Sequence, residues 1–372
     1  MSWALWITGP PGSGKSALAR AAAARLRALG EPVRVLELDE IRKTLTPQPR
    51  YTDAEREVVY RALGYMAMHL VEAGIPVIID ATAHRREWRD LARAAIPRFA
   101  EVQLVCPPEV CRERERTRTA GHAPAGIYAR AGQAGATVPG IDVPYEPALA
   151  PELVIDSASE PVGDAAARIV ELAGRLAFAP PPPPPAGASW AIWITGRPGS
   201  GKTTLAERVA EALAARDVRV RVLDLAAARR VLLPDPPGSE AEQEIAHRAL
   251  AYTAKLLTEA GVAVILDATG PRRAWRQAAR ELIPCFAEVQ LVCPVDVCVE
   301  RERAVRWRLG GDSLAEGSRP VAAPDLVLDY EESPRPELVL RTDVHDPWTA
   351  AQQVLFLVQR LHRALTLSIE SP

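Results

Sequence analysis

Residues 9–16 read Gly9-Pro10-Pro11-Gly12-Ser13-Gly14-Lys15-Ser16, and the pattern returns 187 positions later as Gly196-Arg197-Pro198-Gly199-Ser200-Gly201-Lys202-Thr203. Each octapeptide follows the same apolar run, Trp3-Ala-Leu-Trp-Ile-Thr8 in the first case and Trp190-Ala-Ile-Trp-Ile-Thr195 in the second. Each leads into an alanine-rich stretch of helical character, residues 17–29 and 205–215. A glycine-rich loop between a strand and a helix is the setting in which this motif holds phosphate. Its glycines let backbone N–H groups turn inward, and the helix N-terminus adds a partial positive charge. Lys15 and Lys202 can reach the β- and γ-phosphates, and Ser16 and Thr203 can ligate Mg²⁺. The chain is expected to bind nucleoside triphosphate at both loops.

The repeat extends well beyond the loops. Residues 99–107 and 286–294 are the same nonapeptide, Phe-Ala-Glu-Val-Gln-Leu-Val-Cys-Pro. Six prolines, Pro180 to Pro185, stand between the copies. As polyproline II they would span about 19 Å, a semi-rigid spacer. The expected organisation is a first domain at 1–178, a linker at 179–188 and a second domain at 189–372. In copy one the pattern predicts strands at 3–8, 33–38, 76–80, 101–106 and 152–155. The predicted helices are 15–29, 53–73, 86–95, 108–118 and 162–177. Short apolar strands separated by helices imply parallel sheets covered on both faces. The fold class is therefore α/β, with two P-loop NTPase domains of nucleoside-kinase type. Ligands in such folds sit beyond the carboxyl ends of the strands, which are expected to carry Gly9, Asp39, Asp80 and Cys106.

Bulk properties narrow the partners. The 372 residues are 48% hydrophobic with a net charge of −2, so no nucleic-acid partner and no anionic membrane are expected. No apolar run approaches the roughly 20 residues of a membrane span. The first strand begins at once, with no basic leader or cleavable apolar segment, and a cytoplasmic location is expected. Of the five cysteines, Cys106, Cys111, Cys293 and Cys298 fall at equivalent places in the repeat, and Cys285 is the fifth. Further metal ligands are not evident near Cys106-x4-Cys111, so buried reduced thiols are expected.

Asp39, in Leu36-Glu-Leu-Asp39-Glu-Ile-Arg42, is the candidate base, able to accept or orient an acceptor hydroxyl's proton. It could equally cap the helix that follows. Asp80, after Val77-Ile-Ile, is a candidate Mg²⁺ carboxylate or a second cap. Arg42, Arg56 and Arg61 are candidate anion clamps. Arg112, Arg114, Arg116 and Arg118 lead into a loop at the lid position of small P-loop kinases, where arginines stabilise transferring charge.

These pieces resemble the adenylylsulfate (APS) kinases. Residues 36–45 resemble that family's LDGDxxRxxL segment, and Glu55-Arg56-(x4)-Arg61 its DRxxNIxR helix. Val110-Cys111-Arg-Glu-Arg114-Glu115 resembles VCExRD, and Pro124-Ala-Gly-Ile-Tyr128-Ala-Arg130-Ala resembles PKGLYKKA. Gly140-Ile141-Asp142-Val-Pro-Tyr-Glu-Pro147 resembles GIDxPYEP, the most specific of the set. The resemblance covers residues 1–156. It implies phosphorylation by Mg-ATP of the 3′-hydroxyl of adenylyl sulfate, a step of sulfate assimilation. It implies Lys15 and Asp39 as catalytic residues and Mg²⁺ held by Ser16, Asp80 and Thr203. It implies ATP on the two loops, with Arg114 and Thr204 added, and acceptor contacts from Arg42, Arg56, Arg61, Ile141 and Asp142. Departures from the family pattern are Val59 for its helix asparagine, Val138 for its aromatic, Ala136 for a lysine, and Thr82-Ala83-His84 for ISP. Residues 116–123 are an insertion.

Copy two keeps the loop and Asp267, with Ala226 in place of Asp39 and Gln243 in place of Arg56. Arg42 and Arg61 persist as Arg229 and Arg248, and Asp224 offers a substitute acid. Leu309-Gly-Gly-Asp312 and residues 325–330 replace the GIY and GIDVPYEP pieces. A nucleotide-binding copy with little transfer activity is expected. Another nucleotide or polynucleotide hydroxyl as acceptor, or a purely regulatory nucleotide-binding module, stay open. So do a pseudo-dimer of the copies and a homodimer.

Overall fold

In the computed structural model, which describes residues 2–117, 126–133, 137–177, 189–233, 238–308 and 329–369, Ala4–Thr8 form β1, buried along its whole length. The phosphate loop then leads into α1 (Lys15–Ala28). β2 (Arg34–Glu37), α2 (Leu38–Leu45), α3 (Asp53–Glu72), β3 (Val77–Asp80) and α4 (Arg86–Ala95) follow. β4 (Phe99–Val105), α5 (Pro108–Thr117), β5 (Leu153–Asp156) and α6 (Val162–Leu176) complete the first unit. The sheet order is β2-β3-β1-β4-β5 and every pairing is parallel. Apolar runs buried on both faces allow nothing else, because the crossover helices cover the sheet on either side. Leu18, Ala19, Ala22, Ala23 and Leu26 of α1 pack with Ile169, Leu172 and Ala173 of α6 in one core cluster.

The second unit runs through β6 (Ala191–Thr195), α7 (Lys202–Ala214), β7 (Val220–Asp224), α8 (Leu225–Leu232) and α9 (Glu240–Glu259). β8 (Ala263–Asp267), α10 (Arg273–Leu282), β9 (Phe286–Val292), α11 (Val295–Arg308), β10 (Leu338–Arg341) and α12 (Pro347–Ile369) end it. Its parallel order, β7-β8-β6-β9-β10, matches the first. The chain divides into two compact units, Met1–Pro184 and Pro185–Pro372. The proline run, Arg118, Ala136 and the segment 309–328 lie outside the described residues. Among the described residues no helix is long and apolar enough to cross a membrane.

Two sequence expectations shift. β2 ends at Glu37, the partner of Asp80, so Asp39 lies in the first turn of α2 rather than at a strand end. Nor is Asp39 a cap, since Glu37 holds the N-cap position. β4 starts at Phe99, two residues before the expected 101, because Phe99 already pairs with Ala4.

Each unit is braced by a buried arginine. Arg89 of α4 is fully buried and donates from Nε to Glu101 Oε1 at 2.5 Å. It also donates to the carbonyls of Ala83 and, at 2.7 Å, Glu146. Its guanidinium lies 5.8 Å from the centre of the Tyr145 ring. Thr8 Oγ1 donates to Thr82 O at 2.7 Å, so Tyr145 donates to Thr8 across their 2.9 Å contact. In the second unit Arg276 meets Glu288, the Gly270 and Glu331 carbonyls and the Tyr330 ring in the same way. The Tyr-Glu of the GIDVPYEP piece is thus matched by Tyr330-Glu331, although residues 325–330 otherwise replace that piece.

Removing one partner of a buried pair leaves an uncompensated charge. Arg89→Ala is expected to lower the unfolding free energy by about 3–5 kcal/mol. Urea titration of the full chain checks this, and an unchanged midpoint would contradict it.

Candidate functional site

The phosphate loop is built on glycines in backbone conformations that other residues rarely adopt. Gly12 has φ +77°, and a Cβ there would run into the backbone carbonyl of Cys111 at the start of α5. Gly199 has φ +76° and meets Cys298 likewise. Gly14 and Gly201 take left-handed backbone as the N-caps of α1 and α7. The four repeat cysteines are buried and free, and Cys285 is half-buried and free. Burial pushes the Cys111 thiol up to about 12.

A cavity of about 560 Å³ opens over the first loop. Lys15, Ser16, Asp39, Arg42, Arg56, Asp80 and Arg114 all line it. Lys15 Nζ donates to the Gly9 and Pro10 carbonyls at 3.0 and 2.9 Å. Asp80 is buried and accepts a hydrogen bond from Ser16. Burial raises its pKa to about 6; Lys15 and Ser16 pull it down, while Glu37 and Asp39 push it up. A buried carboxylate with a hydroxyl beside it and two acidic neighbours suits a divalent cation, whose charge would relieve the excess. No group of three or more His, Cys, Asp or Glu side chains stands ready to cage a metal among the described residues. A cation here would complete its shell with phosphate and water, as magnesium does.

Opposite the loop, Arg42 is buried, 3.6 Å from Glu55 and 5.5 Å from the centre of the Tyr51 ring. Arg56 donates to the Thr137 carbonyl at 3.1 Å and to the Thr137 hydroxyl. Tyr60 lies with its ring centre 6.0 Å from the Arg42 guanidinium and stacks on Trp88, with ring centres 4.3 Å apart. Arg114 donates to Ser157 O at 2.7 Å, which holds it near Gly14. Tyr128 donates to Pro11 O at 2.7 Å and ties its segment to the loop.

The structure does not bring every predicted residue to this cavity. Arg61 turns away and pairs with Glu57 at 2.6 Å. The Asp142 carboxylate accepts from Gly132 N and Val138 N, both at 2.8 Å, and so shapes a turn. Ile141 is 41% exposed and lies outside the lining. Sequence reading missed Tyr51, Glu55, Tyr60, Glu115 and Thr137. The one available signal was Thr52-x-x-Glu55, the spacing of a capping box.

In the second unit Lys202 Nζ donates to Arg197 O at 3.1 Å, and buried Asp267 accepts from Thr203. The Asp224 carboxylate caps α8 through Ala226 N at 2.8 Å and Ala227 N at 3.4 Å.

The family model described as adenylylsulphate kinase matches residues 1–156 and 188–308. The chain belongs to the adenylylsulphate kinase family. It is 36% identical over 160 residues to a probable adenylyl-sulfate kinase of Archaeoglobus fulgidus, covering 42% of this chain and 97% of that one. A probable adenylyl-sulfate kinase of Pyrococcus abyssi is 35% identical over 179 residues, 47% of this chain and 97% of the relative. Among solved structures, the Mycobacterium tuberculosis APS kinase in complex with AMPPNP and APS is 26% identical. It covers 46% of this chain and 99% of its own, with a TM-score of 0.38. In this family member the departure at Thr82-Ala83-His84 has a scaffolding role. The Ala83 carbonyl meets Arg89, and the His84 carbonyl accepts from Glu146 N at 2.8 Å.

The raised Asp80 pKa makes stability depend on pH. Near pH 4 the folded carboxyl is protonated and the unfolded one only about half ionised, so the cost is small. Between the ordinary 3.8 and about 6 the unfolded chain releases its proton while the folded chain keeps it, so relative stability falls across that window and stays lowered above it. Asp80→Asn removes that loss. Without nucleotide or magnesium, the variant is expected to gain on the order of 3 kcal/mol over wild type at pH 7.5 and little at pH 4. Paired urea titrations check this. A variant less stable at both pH values would contradict it.

Proposed function

We propose that the first unit transfers the γ-phosphoryl group of ATP to the 3′-hydroxyl of adenylyl sulfate, and that the second unit binds nucleotide with little transfer. One observation carries this reading: Lys15, Asp39, Asp80 and the two buried arginines line one cavity. A phosphate cradle, an acid and an anion clamp therefore face a shared space.

Gly9, Pro10, Pro11, Gly12, Ser13 and Gly14 would wrap the ATP phosphates, with Arg114 beside them. Lys15 would leave the Gly9 and Pro10 carbonyls to follow the γ-phosphate. Ser16 and Asp80 would hold Mg²⁺, which when bound supplies charge to the phosphates. Asp39 would orient the acceptor hydroxyl and take its proton as attack proceeds. Arg42 and Arg56, already desolvated, would bind the acceptor's anionic group through charge-assisted hydrogen bonds. Arg61, Ile141 and Asp142 have no direct part in this scheme. The cavity also holds Tyr51, whose ring would lie against the acceptor beside Arg42.

The second unit keeps Gly196, Gly199, Ser200, Gly201, Lys202, Thr203 and Thr204. At the positions of Arg20, Asp39 and Arg56 it has Glu207, Ala226 and Gln243. Two cations and the acid are gone, and one of the cations is replaced by a negative charge. That pattern supports nucleotide binding without an anionic acceptor.

Asp39→Asn is expected to lower kcat at least about 100-fold with ATP affinity nearly unchanged. Lys15→Ala should abolish transfer, whereas Lys202→Ala in the full chain should spare most of it. Steady-state assays with Mg-ATP and adenylyl sulfate decide. Loss of transfer in Lys202→Ala but not Lys15→Ala would move the chemistry to the second unit.

Arg56→Ala is expected to raise the acceptor KM about 10- to 100-fold, the worth of one charge-assisted contact, with the ATP KM unmoved. Equal effects on both substrates would reduce Arg56 to a brace for Thr137.

A further inference from the structure

One glutamate position does different work in the two units. Glu55 and Glu242 stand at the third position of α3 and α9, behind the hydroxyl caps Thr52 and Ser239. Glu242 closes an ordinary capping box. Its Oε2 accepts from Ser239 N and Oγ at 2.7 Å each, and its own N–H donates back to Ser239 Oγ at 3.3 Å. Glu55 keeps only half of that device, its N–H donating to Thr52 Oγ1 at 3.2 Å. The Glu55 carboxylate accepts instead from Arg50 N at 2.8 Å and Tyr51 N at 3.2 Å, with Arg42 Nη1 3.6 Å away.

This rearrangement has a conformational cost. Tyr51 is held at φ +56°, where the second unit has Gly238 at φ +71°. Left-handed backbone is easy for glycine and strained for tyrosine. Such strain persists only where the surroundings over-determine it, and it gathers at functional sites. Both residues on the clamped turn, Arg50 and Tyr51, line the cavity. Arg42 Nη1 is buried and makes no hydrogen bond. Glu55 lies within ion-pair range of that nitrogen yet leaves it without an acceptor, and a buried donor of this kind calls for one.

We propose that Glu55 is a positioning residue for the transfer reaction. By clamping the Arg50–Tyr51 backbone and opposing the Arg42 charge, it sets the cationic edge on which the anionic acceptor sits. The proposal rests on the reading of Arg42 and Arg56 as the acceptor clamp. Among the described residues of the second unit the matching carboxylate, Glu242, stays on its cap.

The test compares Glu55→Gln with Glu242→Gln, both in the full chain. Glu55→Gln is expected to raise the KM for adenylyl sulfate at least about tenfold with the ATP KM within about twofold, as loss of a charge-assisted contact would. Glu242→Gln should leave both constants unchanged. Hydrogen exchange of the Arg50 and Tyr51 amides should quicken at least about tenfold in Glu55→Gln only. Thr52→Ala, which removes the cap and spares the carboxylate, should lower Tm with the acceptor KM intact, and it stands in if Glu55→Gln does not fold. A folded Glu55→Gln with unchanged acceptor KM overturns the proposal and leaves the kinase reading standing. So does a Thr52→Ala variant whose acceptor KM rises with its loss of stability. If wild type phosphorylates no adenylyl sulfate, the kinase reading fails. Exchange then decides alone: unchanged protection overturns the clamp and faster exchange supports it.

Discussion

A guanidinium buried without water must find acceptors on every side, and the architecture of each unit follows from meeting that demand. Arg89 draws on Glu101 from β4, the Ala83 carbonyl after β3 and the Glu146 carbonyl from the segment before β5. The middle of β4, the segment after β3 and the segment before β5, far apart in sequence, are thereby tied together. Ala83 accepts φ +39° to present its carbonyl, where the second unit uses Gly270 at φ +51°. The segment before β5 carries Thr137 and Val138 to the cavity wall. The arginine never meets the cavity, yet the wall depends on it.

The two units separate scaffold from chemistry. Their hubs, sheet orders and phosphate loops agree, and the Ser16–Asp80 pair recurs as Thr203–Asp267. They differ in α2 and α3 and their counterparts α8 and α9. Tyr60, stacked on Trp88, is replaced by His247, whose Nδ1 lies 2.7 Å from the Gln243 carbonyl. Loss of Asp39 frees the first turn of α8, and Asp224 caps it. These changes leave the phosphate cradle whole.

Much of this was legible in the sequence because the informative signals are local. Glycines with fixed φ, a lysine six residues after the first, and apolar runs of strand length need no distant partner to be interpreted. What escaped reading depends on long-range contact or on helix phase. Arg56 and Arg61 both look like clamps, but five residues of helix turn them about 140° apart, and only Arg56 faces the cavity. Tyr145-Glu146, in the piece that most specifically carries the family resemblance, supports Arg89, a pairing 56 and 57 residues distant. Asp39 looked like a strand terminus because nothing local marks where β2 yields to α2. The family match is thus carried partly by residues whose contacts hold the fold together.

The central claim is a division of labour between two intact phosphate loops. Counting nucleotide and transfer on the same molecules tests it most directly. The full chain is first equilibrated with a non-hydrolysable ATP analogue and magnesium to obtain the binding stoichiometry. It is then loaded with labelled ATP and mixed with excess adenylyl sulfate in a single turnover. The account predicts two nucleotides bound per chain and one phosphoryl group transferred in the rapid phase. Two groups transferred at comparable rates, or one nucleotide bound, would contradict it.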